Sequence, residues 1–277
     1  MSADFETLTL EDQGAALFVT IDTPPMNLLG PALVRDLVRL ITLLDRGEPY
    51  KVVVFKSADP DFFISHVDVT QIAAYRQEAA KLTGEASIAL LFRRLAQTKA
   101  VTIAQVEGRT RGAGSEFVLN CDMRFAARGR AFFAQNEAGL GLVPGGGGAQ
   151  HLVRMLGRGR ALEVMLSAAD FDADLAERYG WVNRSFAPDE LEPFVRALAL
   201  RIAQFPTAGL ALVKERVNAI SLAPIEDFRR DSDLFGDGVK VPETQRRIQA
   251  AMKRGFQTRE AEIDLGDMFP SLSLNQE

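Results

Sequence analysis

Residues 108–148 read GRTRGAGSEFVLNCDMRFAARGRAFFAQNEAGLGLVPGGGG. Two carboxylates, Glu116 and Glu137, stand in this stretch among dense glycine, and each is followed by apolar sequence rather than by a compensating Lys or Arg. Glycine permits backbone conformations and close approaches that a Cβ forbids, and a carboxylate without a nearby cation is a candidate for acid–base chemistry. Gly112-Ala113-Gly114-Ser115 precedes Glu116, where a turn would pass into a helix over residues 117–120. A glutamate in a first helical turn is favoured by the helix dipole alone. The same geometry leaves unpaired backbone N–H groups able to receive an oxyanion, and the residues by themselves leave both readings open. Glu137 has the plainer reading of a solvated loop carboxylate.

The glycines invite a nucleotide-loop reading, which fails. Gly145-Gly146-Gly147-Gly148-Ala149-Gln150 lacks the Lys and Ser/Thr of a phosphate-binding loop, and Gly139-Leu140-Gly141-Leu142-Val143-Pro144 puts proline where a dinucleotide fingerprint needs glycine. The expectation for Gly145–Gly148 is a turn that lets a helix approach the sheet closely. The two histidines, His66 and His151, lie far apart without metal-ligand spacing, so neither a zinc site nor a Ser-His-Asp triad is supported. His66 falls in a loop whose backbone is expected to matter more than its ring, and His151 is expected to serve packing or surface.

The whole chain has 277 residues, 47% hydrophobic and 25% charged, with a net charge of −5. That is ordinary globular composition, enough for one sizeable core with or without a small second domain. An acidic balance argues against a general nucleic-acid grip. The single cysteine, Cys121, excludes an internal disulfide framework and a thiolate metal cluster. No basic-then-apolar leader opens the chain and no apolar run is long enough to cross a bilayer, so the expectation is a soluble cytoplasmic protein.

Outward from the centre, residues 5–22 read as two strands around a turn at Glu11-Asp12-Gln13-Gly14, followed by an amphipathic helix opened by Pro31. Val52-Val53-Val54-Phe55 reads as a strand buried on both faces. A polar helical stretch to about Gln77, a helix through Ile88, Leu91, Phe92 and Leu95, and a strand over residues 101–106 come next. Short strands are expected over residues 123–126 and 131–134, helices over 152–156 and 161–166, and a last strand at Trp181-Val182-Asn183-Arg184. From Pro188 the pattern is helical throughout, over 191–204, 207–220, 225–235 and 243–254, punctuated by Pro206, Pro224 and Pro242. An α/β body over residues 1–200 with a helical appendage over 201–277 is the domain reading.

Several ordered motifs across nearly the whole chain resemble those of the crotonase superfamily of enoyl-CoA hydratases and isomerases. Pro24-Pro25-Met26-Asn27-Leu28-Leu29 is similar to P-x-N-A-L, and Phe63-Ile64-Ser65-His66-Val67-Asp68 to F-x-A-G-x-D. Residues 108–122 resemble G-x-x-x-G-G-G-x-E-L-x-L-x-C-D, and Gln135-Asn136-Glu137 with Gly141-Leu142-Val143-Pro144-Gly145 resembles P-E-x-x-x-G-x-x-P-G. Further on, AERYGWVNR (176–184) and KERVN (214–218) resemble A-x-x-x-G-L-V-x-x and K-x-x-x-N. The resemblance implies a crotonase-like α/β fold, a spiral of ββα units with a C-terminal helical region, assembled as a trimer or hexamer around acyl-CoA thioester sites.

It further implies that Glu116 and Glu137 are catalytic and that the backbone N–H groups of Val67 and Ala113 form an oxyanion hole. Ile64, Ser65, His66, Asp68, Gly112 and Gly141 would line the substrate and CoA site, with no metal and no cofactor beyond the CoA of the substrate. The expected reaction is hydration of an enoyl-CoA, with an isomerase or related lyase, or a non-catalytic acyl-CoA-binding scaffold, as alternatives. Four positions depart from the pattern: His66 and Ala113 for glycine, Asn136 for proline, and a bulky, charged Arg111 before the glycine turn. If position 66 needs positive φ, histidine would be strained there.

Overall fold

The computed structural model describes residues 5–47 and 49–272. The first four residues of the amino-terminal stretch and the last five of the helical region lie outside the described residues. β1 (Leu8–Gln13) and β2 (Ala16–Ile21) form an antiparallel hairpin that pairs Gln13 with Ala16. Gly14, at φ +72°, supplies the conformation that a two-residue turn requires. The turn is therefore Gly14-Ala15. Glu11, Asp12 and Gln13, expected in the turn, instead complete β1, because an edge strand can pair with its neighbour while its polar side chains face water.

After the helix Pro31–Asp45 the chain repeats one pattern. β3 (Val52–Ser57) and β4 (Phe62–Ile64) precede helices Ile72–Thr83 and Ile88–Ala96; β5 (Val101–Val106) and β6 (Arg109–Arg111) precede helix Ala113–Leu119. β7 (Met123–Ala127) and β8 (Phe132–Ala134) precede a 3-10 turn, Glu137–Leu140, and helices Gly148–Leu156 and Arg158–Ser167. β9 (Phe171–Asp172), helix Ala173–Tyr179 and β10 (Arg184–Phe186) close the body. The first strand of each unit joins a six-stranded sheet, β1-β2-β3-β5-β7-β10, and the second joins a four-stranded sheet, β4-β6-β8-β9. Units stack in parallel, β3 on β5 on β7 and β4 on β6 on β8, which makes a ββα spiral of the α/β class.

Val52-Val53-Val54-Phe55 accounts for the burial of the larger sheet on both faces. Successive side chains point to opposite sides. Val53 and Phe55 enter the main core with Leu17 and Val19, while Val52 and Val54 pack with Ala16, Phe18, Leu191 and Val195. All four are fully buried, at roughly 1.5–3 kcal/mol per side chain. Leu191 and Val195 belong to helix Pro188–Ala203, which runs across residue 200 along the back of the sheet.

The last strand begins three residues later than Trp181. The Gly180 and Trp181 amides bond to Glu177 O (3.0 Å) and Ala176 O (2.8 Å), a Schellman cap with Gly180 at φ +85°. Trp181 is thus spent on ending a helix and filling the core, and pairing with β7 starts at Arg184. Beyond the body run helices Thr207–Ser221, Ile225–Gly238, Pro242–Lys253, Arg259–Ile263 and Leu265–Met268. Pro206, Pro224 and Pro242 stand at helix starts, where no amide donor is needed.

The KERVN stretch fastens helix Thr207–Ser221 to the body. Lys214 Nζ donates to Ala100 O (2.7 Å) and pairs with Asp122 (2.8 Å), and Asn218 Nδ2 donates to Ala96 O (2.8 Å). The opposite side of that helix exposes Leu212, Val213, Val217 and Ile220.

Candidate active site

One cavity, with about 670 Å³ of empty space, lies between the carboxyl ends of the spiral strands and the returning C-terminal helices. His66, Val67, Gly112, Ala113, Glu116 and Glu137 line it. Its remaining wall is largely apolar and includes Ile72, Ile88, Leu142, Phe235 and Ile248, with the buried phenol of Tyr75. A mostly apolar pocket with a few convergent polar groups is the usual form of a small-molecule site.

Helix Ala113–Leu119 starts four residues earlier than the sequence suggests, with Gly112 (φ +47°) as its cap. Glu116 stands in the first turn of this helix and is 2% exposed. Its Oε1 accepts hydrogen bonds from the Gly146 and Gly148 amides, at 2.6 and 2.9 Å. The glycine quartet is a turn, as expected, but the group that approaches it closely is a carboxylate. A Cβ at Gly146 would stand 2.4 Å from Glu116 Oε2. Burial raises the Glu116 pKa well above the ordinary carboxyl value, the charge of Glu137 adds to this, and the two glycine amides oppose it.

Glu137 opens the 3-10 turn and is buried, not solvated, because the C-terminal helices cover the loop that carries it. Gln135 Nε2 lies 2.9 and 3.1 Å from its two carboxylate oxygens. Burial raises the Glu137 pKa also, against that amide and the charge of His66. Two like groups taken out of water in one cavity titrate as a pair and readily share a single proton.

Leu29 sets the orientation of the Val67 backbone. Its N–H donates to His66 O (2.8 Å) and its O accepts from Asp68 N (3.2 Å), so the N–H and C=O of Val67 itself point away from Leu29. Ala113 is the first helical residue and its N–H has no intrahelical acceptor. Among the described residues neither amide has a protein partner. Gly114 brings the two segments together: a Cβ there would stand 2.0 Å from Ile64 O, at the end of β4. Asn27 holds the same strand from behind, donating to Ser57 Oγ (2.8 Å) and Phe63 O (3.0 Å) and accepting from Thr23 N (2.7 Å).

His66 does not have positive φ, so the strain considered for histidine at this position is absent. Its ring, expected to matter less than its backbone, is fully engaged: Nδ1 is 2.7 Å from Val67 O and Nε2 2.8 Å from Glu262 Oε1, and the ring stacks on Phe256. Burial disfavours the charged ring, yet the Glu262 carboxylate outweighs it and holds the His66 pKa above its ordinary value. Arg111, the bulky residue before the glycine turn, is buried, paired to Asp170 by two bonds (2.8 and 2.6 Å) and donating to Glu262 O (2.6 Å).

The other expected site residues lie around the cavity without lining it. Ile64 is core, and Ser65 Oγ donates to Met26 O. Asp68 accepts from Thr70 N (2.9 Å) and Oγ1 (2.6 Å), from Gln71 and from Gln257 Nε2 (3.1 Å), which ties down the loop. Gly141, at φ +81°, ends the 3-10 turn. His151 is packed inside, its Nε2 3.1 Å from Asn120 Oδ1. Sequence reading missed Gln135, Glu262 and the Gly146 and Gly148 amides. Gln135 is two residues from Glu137 and open to inspection; Glu262 is 196 residues from His66 and carries no local signal.

The raised Glu116 pKa makes a stability prediction with a definite sign. A carboxyl that holds its proton more tightly when folded costs nothing below the ordinary carboxyl value near 4.5. It destabilises the fold progressively as pH rises from there through its folded value. Glu116→Gln keeps an oxygen for the glycine amides and removes the buried charge. Its Tm is expected to match the wild type near about pH 5 and to exceed it by a few degrees at about pH 9, read by calorimetry. A gap that shrinks with rising pH would refute the assignment.

The family model described as enoyl-CoA hydratase/isomerase matches residues 11–260. A solved structure of a candidate enoyl-CoA hydratase from Streptomyces avermitilis is 50% identical, superposes with a TM-score of 0.96, and is covered over 99% of both chains. A short-chain-enoyl-CoA hydratase of Clostridium acetobutylicum is 27% identical over 92% of this chain and 100% of its own. A crotonyl-CoA hydratase of Syntrophomonas wolfei is 30% identical over 84% and 89%. With the spiral fold, the family match over most of the sequence and the near-complete superposition in agreement, the chain belongs to the enoyl-CoA hydratase/isomerase family.

Proposed function

We propose that this protein is an enoyl-CoA hydratase, adding water across the 2,3-double bond of an acyl thioester. The observation that carries the reading is the pair of buried glutamates, Glu116 and Glu137, on a cavity also lined by Val67 and Ala113, whose amides have no partner among the described residues. Addition of water at the β-carbon pushes charge onto the thioester oxygen, so donors fixed before the reaction lower the barrier. The Val67 and Ala113 amides take that role. Glu116, held by two glycine amides, positions and deprotonates the water, and Glu137 delivers the proton to the α-carbon. Burial raises both pKa values, so the pair holds one proton near neutral pH, and the division of roles above requires that proton to sit on Glu137 once water and thioester are bound.

The apolar wall of Ile72, Ile88, Leu142, Phe235 and Ile248 receives the acyl chain, while Ile64 ends the strand, and Ser65, Asp68 and Gly141 fix the loops, that frame the place of the thioester and CoA. The scheme uses the chain's own groups and no cofactor beyond the substrate's CoA. The exposed apolar face of helix Thr207–Ser221 supports assembly into a trimer or hexamer, with residues 201–277 serving assembly and closing the pocket over the body of residues 1–200. No helix of the described residues is long and apolar enough to cross a membrane; the compartment proposed is the cytoplasm. Loss of enoyl absorbance with crotonyl-CoA and longer homologues tests the reading. Hydration that persists in chelator is expected; acyl-CoA binding without turnover across the series would overturn it in favour of a scaffold.

A further inference from the structure

His66 stands in the wall of the cavity next to the Val67 amide, and both of its ring nitrogens face acceptors: the Val67 carbonyl on one side and a Glu262 carboxylate oxygen on the other. A carbonyl cannot donate. With an ionised carboxylate on the second nitrogen, the ring satisfies both contacts only as an imidazolium. Behind it the charges alternate: Glu262, with no exposed surface, is 3.6 Å from the buried Arg111, which is forked onto Asp170. The row thus ends with its positive charge at the cavity. Glu262 also accepts from Gln257 N (3.1 Å), and His66 lies flat on Phe256, so the C-terminal segment fixes the ring from two sides.

We propose that the His66–Glu262 pair is a positioning device for the carbonyl end of this site: His66, as an imidazolium, locks the loop that carries the Val67 amide and sets a positive charge beside the place of the thioester oxygen. This deepens the hydratase reading and rests on it for the position of that oxygen. Both ring nitrogens are occupied, so His66 acts through the loop and through its field rather than by bonding substrate. The charged groups around it are Glu262 and Arg111, with Asp170 behind, from the C-terminal side and β6; Asp68 on its own loop; and Glu137 and Glu116 across the cavity. Glu262 keeps its pKa low despite burial because His66 and Arg111 face it.

The experiment has two arms, one free of turnover. The chain has two histidines, and His151 is kept neutral by burial, its pKa pushed down to about 3. In 15N-histidine-labelled protein at about pH 7, one ring is expected with both nitrogens protonated and one neutral. Two neutral rings would overturn the proposal. The second arm compares binding of acetoacetyl-CoA, whose enolate has its own near-ultraviolet absorbance, with that of butyryl-CoA. Removing one partner alone leaves a buried charge, so the test variant is the neutral pair His66→Gln/Glu262→Gln, checked for an unchanged Tm.

Relative to wild type it is expected to lose roughly 10-fold or more of its preference for the enolate, less than the loss of a direct oxyanion donor, with binding of butyryl-CoA, whose oxygen carries no full charge, falling by less than the enolate's. In the same neutral pair the preference for the enolate over butyryl-CoA is expected to lose the fall with rising pH that deprotonation of His66 gives the wild type. An unaltered enolate preference and pH profile would overturn the proposal. A wild type that stabilises the enolate but hydrates no enoyl-CoA would sink the hydratase reading and leave this one standing.

Discussion

Glu116→Gln and Glu137→Gln will each lower kcat for crotonyl-CoA hydration by about 100- to 10,000-fold, the range expected for loss of a general acid or base. KM is expected to stay within a few-fold, because neither change touches the apolar wall or the two amides. Glutamine suits the test. At position 116 it still offers an oxygen to the Gly146 and Gly148 amides, and at 137 it still reaches the Gln135 side chain. What disappears is the exchangeable proton. The double variant should be little worse than the worse single one, since the two groups serve one addition step. Near-wild-type activity in Glu137→Gln would refute its role as proton donor. A large loss at one position with almost none at the other would point to double-bond isomerisation, which one proton-shuttling carboxylate can perform.

The second large effect concerns backbone rather than charge. Gly114→Ala would put a methyl 2.0 Å from Ile64 O, with Ile64 C and Cβ at 2.9 Å. Those are mostly backbone atoms of β4, which cannot turn aside. The start of helix Ala113–Leu119 must then move off the strand leading to Val67, separating the two amides meant for one oxygen. Loss of about 3 kcal/mol of stability is expected, at the upper end of ordinary overpacking. Hydration should fall by at least about 100-fold, as for a lost oxyanion donor. Gly159→Ala is the control: it lies in helix Arg158–Ser167 with nothing within 4 Å of the added methyl. That change should be neutral or slightly stabilising, by about 0.5–1 kcal/mol. Urea midpoints and crotonyl-CoA assays on both variants check the pair. Gly114→Ala with a wild-type midpoint would show that β4 yields, and that the contact does not hold the site together.

Local sequence determined the elements and the order in which they occur. Val52-Val53-Val54-Phe55 is legible as a doubly buried strand because every residue of it is apolar, and the C-terminal helices because prolines mark their starts. Glu116 and Glu137 were legible as candidates through their glycine surroundings and the motif order. The shorter strands of the second sheet, such as β6 and β9, were not, since two or three residues give no period to read. The strand expected at Trp181 was displaced because a Schellman cap claimed the tryptophan amide.

Tertiary structure alone decided the chemistry around the two acids. Whether Glu137 was solvated or buried depended on helices more than a hundred residues later in the chain, and burial is what raises its pKa. The glycine quartet could not disclose that two of its amides meet Glu116 from 30 and 32 residues away. The charge of His66 was likewise beyond local reading, because the Glu262 carboxylate that holds its proton arrives from 196 residues downstream. Propensity and pattern act over a few residues, so the sequence by itself set what could fold. Desolvation and charge pairing act through space, and only the assembled fold brings those partners within bonding distance.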